Sequence, residues 1–171
     1  GLDAFPDLPE VEETGATFEE NALLKARDVA RRTGLLAIAD DSGLEVDALD
    51  GAPGVRSARY SDDMPDLPGE SKDERNVMKL LAVLSSARLW QRSARFRTVI
   101  AACTPEGDTL VAPGTWEGSI ACSPRGKNGF GYDPIFYLPE YGCTSAELSM
   151  EEKNKISHRG KALRAIKDAL R

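Results

Sequence analysis

The sequence predicts an α/β fold, because helix-like and strand-like segments alternate along its 171 residues. Two stretches, 17–33 and 70–86, carry apolar residues at helical spacing. Apolar or alternating runs typical of strands lie at 35–49 and 95–121. The length suits one domain, or two lobes that share a sheet, with enough residues for a hydrophobic core.

The composition is that of an ordinary globular protein, with 41% hydrophobic and 29% charged residues. No apolar run approaches the roughly 20 residues needed to cross a bilayer, so we expect no membrane partner. The three cysteines, Cys103, Cys122 and Cys143, are far apart and lack metal-ligand spacing. This pattern favours a reduced, cytoplasmic protein.

The net charge of −6 is unevenly distributed along the chain. Residues 1–50 carry a net −9, residues 51–121 are neutral overall, and residues 122–171 carry +3. An acidic front and a basic tail suit a site that holds a metal on one side and a polyanion on the other, although ordinary surface charge explains the same pattern. The overall acidity argues against a nucleic-acid partner, which needs a basic surface.

The first helix is predicted from its ends as well as from its apolar stripe. Thr17 and Glu20 have the spacing of a capping box, and the helix should end near Thr33, before Gly34. Glu20 therefore has a structural role available at the helix start. Its carboxylate could instead point at the acidic segment that follows the helix, and the sequence does not choose between these roles.

The acidic segment 39–43 (ADDSG) follows a short apolar run and precedes an alternating one, which predicts a strand, an acidic turn and a second strand. The adjacent carboxylates of Asp40 and Asp41 at a strand end can hold a hard cation such as Mg²⁺. Ser42 adds a hydroxyl, and Gly43 allows a ligand to approach the backbone closely. A polar turn stabilised by side-chain hydrogen bonds is the plain alternative.

The middle of the chain is predicted to supply packing elements. Residues 70–86 form an amphipathic helix. A strand at 95–104, a turn at 105–108 and strands at 109–112 and 114–121 predict an antiparallel meander.

A glycine-rich stretch at 123–139 is interleaved with aromatic residues. Such a loop lets backbone N–H groups approach a phosphate or a base. An exposed aromatic residue within it, such as Phe130, has a use in stacking on a nucleobase. The alternative is a turn that leads into a strand at 135–137, and the stretch lacks the Walker A pattern.

The tail opens with a second capping box, Ser149 to Glu152, and closes with an amphipathic helix at 162–170. Between them lies a cluster of basic and polar residues that includes His158, the only histidine. Because His158 is flanked by Ser157 and Arg159 near a helix start, we expect it to bind a polar group rather than to titrate. Together with the acidic segment and the glycine-rich loop, this cluster points to metal-assisted phosphoanhydride chemistry on a nucleotide, with water as the nucleophile.

Five segments together resemble the inosine triphosphate pyrophosphatase family, the XTP/dITP-type nucleoside-triphosphate diphosphatases. They occur in the family's order at 17–27, 39–49, 51–61, 129–136 and 151–163. The resemblance implies an α/β fold with a long mixed sheet flanked by helices, and two lobes with a nucleotide cleft between them. It also implies a homodimer.

The resemblance implies the following catalytic roles. Glu20 and Asp41 would hold Mg²⁺, and Asp41 would also accept the proton of the attacking water. Asp40 would support the metal site without touching the metal. Ser42 would contact the substrate.

The resemblance assigns the base pocket to the glycine-rich loop and the basic tail. Lys153 would meet phosphate or sugar, and His158 with Arg159 would recognise the 6-oxo group of the purine. Adenine would be rejected, because its 6-amino group leaves those donors unpaired. The walls of the pocket would come from Phe130, Gly131, Tyr132 and Asp133.

The implied reaction is Mg²⁺-dependent hydrolysis of ITP, dITP or XTP to the monophosphate and pyrophosphate, which removes deaminated purine nucleotides from the precursor pool. We expect residues 1–171 to form a single domain that starts after the family's first strand and its Ser/Thr-x-Asn-x-x-Lys phosphate loop. The alternatives are a catalytically impaired nucleotide-binding or dimerisation module, and a Maf-like pyrophosphatase of other modified nucleotides.

Overall fold

The computed structural model describes residues 5–170, which contain a five-stranded sheet and four α-helices. The strands lie side by side in chain order, and every described pair is antiparallel. The α/β class is confirmed, whereas the sheet is antiparallel over these residues rather than mixed, because each strand pairs with its successor in the chain. The two-lobe arrangement stays a prediction. The strands are β1 (Ala37–Val46), β2 (Ser93–Cys103), β3 (Thr109–Ile120), β4 (Phe136–Leu138) and β5 (Cys143–Thr144).

The acidic segment lies inside β1, so the predicted acidic turn is wrong. Asp41 pairs with Val99 in a register that continues along the whole of β1. The physical reason is that the apolar strand β2 offers a continuous ladder of partners. The acidic side chains also find polar partners on the two faces, Asn21 and Lys25 for Asp41 and Arg159 for Asp40. Since side chains alternate along a strand, Asp40 and Asp41 project to opposite faces of the sheet.

Helix α1 (Phe18–Thr33) packs on one face of β1 and β2. Its predicted ends are confirmed: the Thr17 hydroxyl accepts a hydrogen bond from the Glu20 N–H at 3.1 Å, and the helix ends at Gly34 in the left-handed conformation. The residues of α1 that face the sheet are mostly alanines, so the helix lies close to the strands. They are Ala22, Ala26 and Ala30, each at most 1% exposed.

The opposite face of the sheet is covered by helix α4 (His158–Ala169), which contacts β2 and β3. Its Ala162 and Ile166 are buried against Ile100 and Ala112. The helix begins at His158, earlier than the predicted 162, because the Ser157 hydroxyl accepts a hydrogen bond from the Gly160 N–H and caps it. The sheet is thus enclosed between α1 and α4.

The remaining core is built around an aromatic group. Phe96, Trp116 and Phe136 pack together there, with ring centroids 4.3–6.4 Å apart. Helix α2 (Lys72–Val83) closes this core, and the short helix α3 (Met150–Ile156) leads into α4. The predicted meander is present, but its two last strands form the single strand β3. No helix within residues 5–170 is both long enough and apolar enough to cross a membrane.

Candidate active site

A pocket of about 190 Å³ opens beside Ser42 and Gly43 of β1. All eight residues that the sequence predicted for substrate binding line it, from four separate parts of the chain. Their contact with a substrate stays a prediction. The eight are Ser42, Phe130, Gly131, Tyr132, Asp133, Lys153, His158 and Arg159.

The glycine-rich loop is organised by Asp133, whose side chain is buried. Its carboxylate accepts hydrogen bonds from the Phe130 N–H at 2.9 Å and the Ser145 hydroxyl at 2.7 Å, and it pairs with the Lys153 ammonium. Gly129 has a φ of 77°, and a Cβ there would collide with the Asp133 carboxylate, so only glycine fits. Asp133 therefore shapes the loop as well as lining the pocket.

Phe130 is presented at the pocket with its ring 63% exposed. The Lys153 Nζ lies 5.1 Å and the Arg159 Cζ 5.3 Å from its ring centroid. Both distances allow cation–π attraction. Each cation is also paired with a carboxylate, Lys153 with Asp133 and Arg159 with Asp40. The exposed aromatic ring suits stacking with a planar ligand.

His158, the first residue of α4, is buried against the aromatic core. Its ring stacks on Phe96 with 5.0 Å between centroids, and its Nδ1 makes no hydrogen bond to the described part of the chain. Burial, followed by the charges of Arg159 and Lys153, lowers the pKa of His158 to about 3. The imidazole is therefore neutral at neutral pH, and its buried Nδ1 lacks the partner that such atoms usually have.

Asp41 lies on the α1 side of the sheet and is only 8% exposed. Its carboxylate accepts hydrogen bonds from the Asn21 amide at 3.1 Å and the Lys25 ammonium at 3.2 Å. Burial raises the pKa of Asp41 above its usual range, against the opposing effect of Lys25 and Asn21. Burial lowers the pKa of Lys25, but the hydrogen bond to Glu13 and the charge of Asp41 outweigh it and leave that pKa raised.

Asn21 and Lys25 were missed by the sequence reasoning. Their i, i+4 spacing placed them on one face of the predicted helix, and this was the available signal.

Asp40 projects to the other face, where its Oδ2 lies 3.0 Å from Nη2 and 3.1 Å from Nε of Arg159. Asp40 was expected to support a metal site. The structure places its carboxylate against a residue of the base pocket, and the metal-supporting role stays a prediction.

Glu20 uses its carboxylate at the start of α1, where Oε2 accepts a hydrogen bond from the Ala16 N–H at 2.6 Å. The described residues contain no group of three or more His, Cys, Asp or Glu side chains arranged to hold a metal ion. Glu20, Asp40 and Asp41 are therefore not gathered into one cluster. Glu20 and Asp41 supply carboxylate oxygens of the kind that Mg²⁺ takes, one or two at a time, together with waters and substrate phosphates. That the two hold one Mg²⁺ together stays a prediction.

Two further contacts hold the glycine-rich loop against the rest of the protein. The Asp73 carboxylate, in the first turn of α2, accepts a hydrogen bond from the Gly131 N–H at 2.7 Å. The Tyr132 hydroxyl donates to the Ser57 carbonyl oxygen at 2.8 Å, and burial raises the pKa of Tyr132, so that it stays protonated. The sequence assigned α2 to packing alone and offered no signal for the role of Asp73.

A family model described as the Ham1 family matches residues 1–169. The chain is 64% identical over 166 residues to a dITP/XTP pyrophosphatase of Nitratidesulfovibrio vulgaris, which covers 97% of this chain and 80% of that protein. It is 55% identical over 169 residues to a dITP/XTP pyrophosphatase of Geobacter sulfurreducens, covering 99% and 82%.

Solved structures of Ham1 proteins and of a dITP/XTP pyrophosphatase are also similar to this chain. The Ham1 protein of Staphylococcus aureus matches with a TM-score of 0.86 at 48% identity, over 99% of this chain and 83% of that one. A nucleoside-triphosphatase, or dITP/XTP pyrophosphatase, of Mycobacterium abscessus matches with a TM-score of 0.78 at 50% identity, over 99% and 84%.

Proposed function

Because this chain belongs to the Ham1 family, we propose that it hydrolyses the deaminated purine nucleotides ITP, dITP and XTP to the monophosphate and pyrophosphate. The observation that carries the proposal is the pocket in which eight residues of the base and phosphate motifs meet beside β1. Asp41 precedes Ser42 on β1, and its side chain projects to the opposite face of the strand from the pocket. The dITP/XTP pyrophosphatases that are 64% and 55% identical to the chain support the choice of substrate.

Base selection is assigned to Arg159 and His158. The guanidinium can only donate hydrogen bonds, and a neutral imidazole has one donor nitrogen and one acceptor nitrogen. A 6-oxo group accepts from such donors, whereas the 6-amino group of adenine would leave them buried and unpaired. The purine would stack on the exposed ring of Phe130, inside the loop that Asp133 shapes.

We assign Asp41 as the acceptor of the proton from the attacking water, because it is a buried carboxylate with a raised pKa. Lys25 and Asn21 fix its orientation through both carboxylate oxygens. Ser42 and Lys153 would contact the sugar or the phosphates. Asp41 and Glu20 would hold Mg²⁺, which when bound neutralises phosphate charge and orients water.

The test is pyrophosphate release from ITP, XTP, GTP and ATP, with Mg²⁺ and with a chelator, on protein that includes any residues encoded upstream of Gly1. Fast, Mg²⁺-dependent release from ITP and XTP with little from ATP is the expected result. No release from any of the four would favour a nucleotide-binding or dimerisation module. Activity confined to other modified nucleotides would favour the Maf-like alternative.

A homodimer in the cytoplasm is part of the same proposal. The three cysteines are all free thiols, which suits a reducing compartment. The dimer rests on the resemblance to the family, and sedimentation velocity at micromolar concentration tests it. A species with the mass of one chain would contradict it.

A further inference from the structure

We propose that Asp40 is a positioning residue for purine selectivity, which fixes the Arg159 guanidinium at the base pocket. The inference rests on the proposed function, since that function assigns Arg159 to base recognition. It replaces the expected role of Asp40 as a support for the metal site.

The first observation is the geometry of the ion pair. Nε and Nη2 of Arg159 converge on Oδ2 of Asp40 at 3.1 and 3.0 Å. A planar guanidinium that is bound through two of its nitrogens has a defined plane as well as a defined position. A free arginine side chain would lose rotamer entropy on binding a base, and a held one has already lost part of it.

The second observation is that the Asp40 carboxylate is itself held. Ser42 Oγ lies 3.0 Å from Asp40 Oδ2 and 2.7 Å from Oγ1 of Thr98. Thr98 is buried, and its hydroxyl also lies 3.3 Å from the Asp41 carbonyl oxygen. Polar contacts therefore run from the Arg159 guanidinium to the backbone of the proposed catalytic residue.

The third observation separates positioning from substrate contact. Arg159 is among the described residues that line the base pocket, and Asp40 is not. Asp40 lines a neighbouring depression together with Arg159 and Leu163. Asp40 also lies on the opposite face of β1 from Asp41, away from Asn21 and Lys25. Its carboxylate thus acts on the base through Arg159.

The test is the ratio of kcat/KM for ITP to kcat/KM for ATP in Asp40→Asn, which keeps the side-chain shape and removes the charge. Both partners are 41% exposed, so we expect the ratio to fall about threefold to fivefold, as an exposed ion pair allows. The fall should come mainly from a higher KM for ITP, with kcat nearly unchanged. The change of charge near the phosphates acts on ITP and ATP alike and cancels in the ratio.

A double-mutant cycle tests whether Asp40 changes the ratio of kcat/KM values through Arg159. In the Arg159→Ala background, Asp40→Asn should change the ratio no further. The matched control is Asp47→Asn, because Asp47 accepts from two Arg95 nitrogens at 2.8 and 3.1 Å with similar exposure, outside the pocket. This control should leave the ratio unchanged.

Two results would overturn the inference. One is an equal loss of turnover with ITP and ATP in Asp40→Asn, together with a higher Mg²⁺ concentration for half-maximal activity, as a metal-supporting residue requires. The other is an additive effect of the two substitutions in the cycle.

Binding of IMP and AMP without metal provides a readout that does not depend on catalysis. Loss of IMP preference in Asp40→Asn supports the inference, and an unchanged preference overturns it. A wild-type protein that prefers IMP but hydrolyses no triphosphate would defeat the proposed function alone. A wild-type protein that binds IMP and AMP equally would defeat both.

Discussion

Asp40 and Asp41 have the same side chain and adjacent positions, yet the two faces of β1 give them different surroundings. The Asp41 side chain is 10% exposed and contacts Asn21 and Lys25 of α1. Asp40 has a side chain that is 41% exposed and lies against Arg159 of α4. One face therefore buries a carboxylate beside a cation, and the other presents a carboxylate that orients a cation toward a pocket.

The difference teaches that two adjacent carboxylates form a metal pair only if the backbone turns between them. In a turn both side chains can reach one ion, whereas in a strand they point about 180° apart. Burial also separates the two, because the free energy of an ion pair depends on how much water is excluded from it. Substitutions on the Asp41 face should therefore change turnover, and those on the Asp40 face should change selectivity.

The largest effect is expected for Asp41→Asn. Removing the proton acceptor should lower kcat for ITP by about 1000-fold or more, within the range of general base catalysis. The fold should persist, because asparagine has the same shape and Lys25 keeps Glu13 as a partner at 2.8 Å. Steady-state kinetics and thermal unfolding measure the two quantities, with Asp40→Asn as the control from the other face. Full turnover in Asp41→Asn would end the assignment of Asp41.

Because the folded protein holds His158 neutral on the Asp40 face, the free energy of unfolding should depend on pH. The folded pKa of about 3 lies below the ordinary 6.5, so between these values the unfolded chain binds more protons. Stability is therefore lost as the pH falls below about 6.5. At pH 5 the loss from this residue should be about 2 kcal/mol relative to pH 7.5.

The matched variant for this measurement is His158→Gln, which does not titrate. Urea unfolding at pH 7.5 and pH 5 should show that the wild-type protein loses about 2 kcal/mol more than the variant. The comparison cancels the pH-dependent contributions of the rest of the chain. The charged groups that act on the imidazole are Arg159, Lys153, Asp40 and Lys161. Equal losses in the two proteins would mean that His158 is not held neutral.

Arg159→Ala tests the selectivity of the same face. Because the alanine variant cannot donate to a 6-oxo group, the ratio of kcat/KM for ITP to that for ATP should fall about tenfold or more. The kcat/KM for ATP should not fall, because the variant no longer leaves a donor unpaired beside the 6-amino group. An unchanged ratio would remove Arg159 from base recognition and leave Asp40 without a residue to position.

The sequence predicted which residues line the pocket better than it predicted which residues contact one another. Ser42, Phe130 and Arg159 belong to separate motifs, and the structure brings them together with the other five. The ends of α1 were also predictable, because a capping hydroxyl and a left-handed glycine act within a few residues.

Contacts between distant parts of the chain were not predictable in this way. The Asp40–Arg159 pair joins residues 119 positions apart, and it exists only because Asp40 projects to the face of the sheet on which α4 packs. The same holds for Lys25 and Asp41, which required α1 to pack on β1. The interpretation of 39–43 as a turn failed because local polarity was weighed without the ladder that β2 provides.

The smallest effect is expected for Asp73→Ala, on the outer side of the base pocket. The substitution removes the acceptor of the Gly131 N–H, which is exposed enough for water to replace much of the bond. The KM for ITP should rise about twofold to threefold, with kcat unchanged, because the loop is less well ordered before binding. The control is Glu74→Ala in the same helical turn, since Glu74 accepts from the Glu70 N–H instead. An equal rise in KM in both variants would assign the effect to the helix start, and a rise only in Asp73→Ala would extend the positioning network of the pocket to α2.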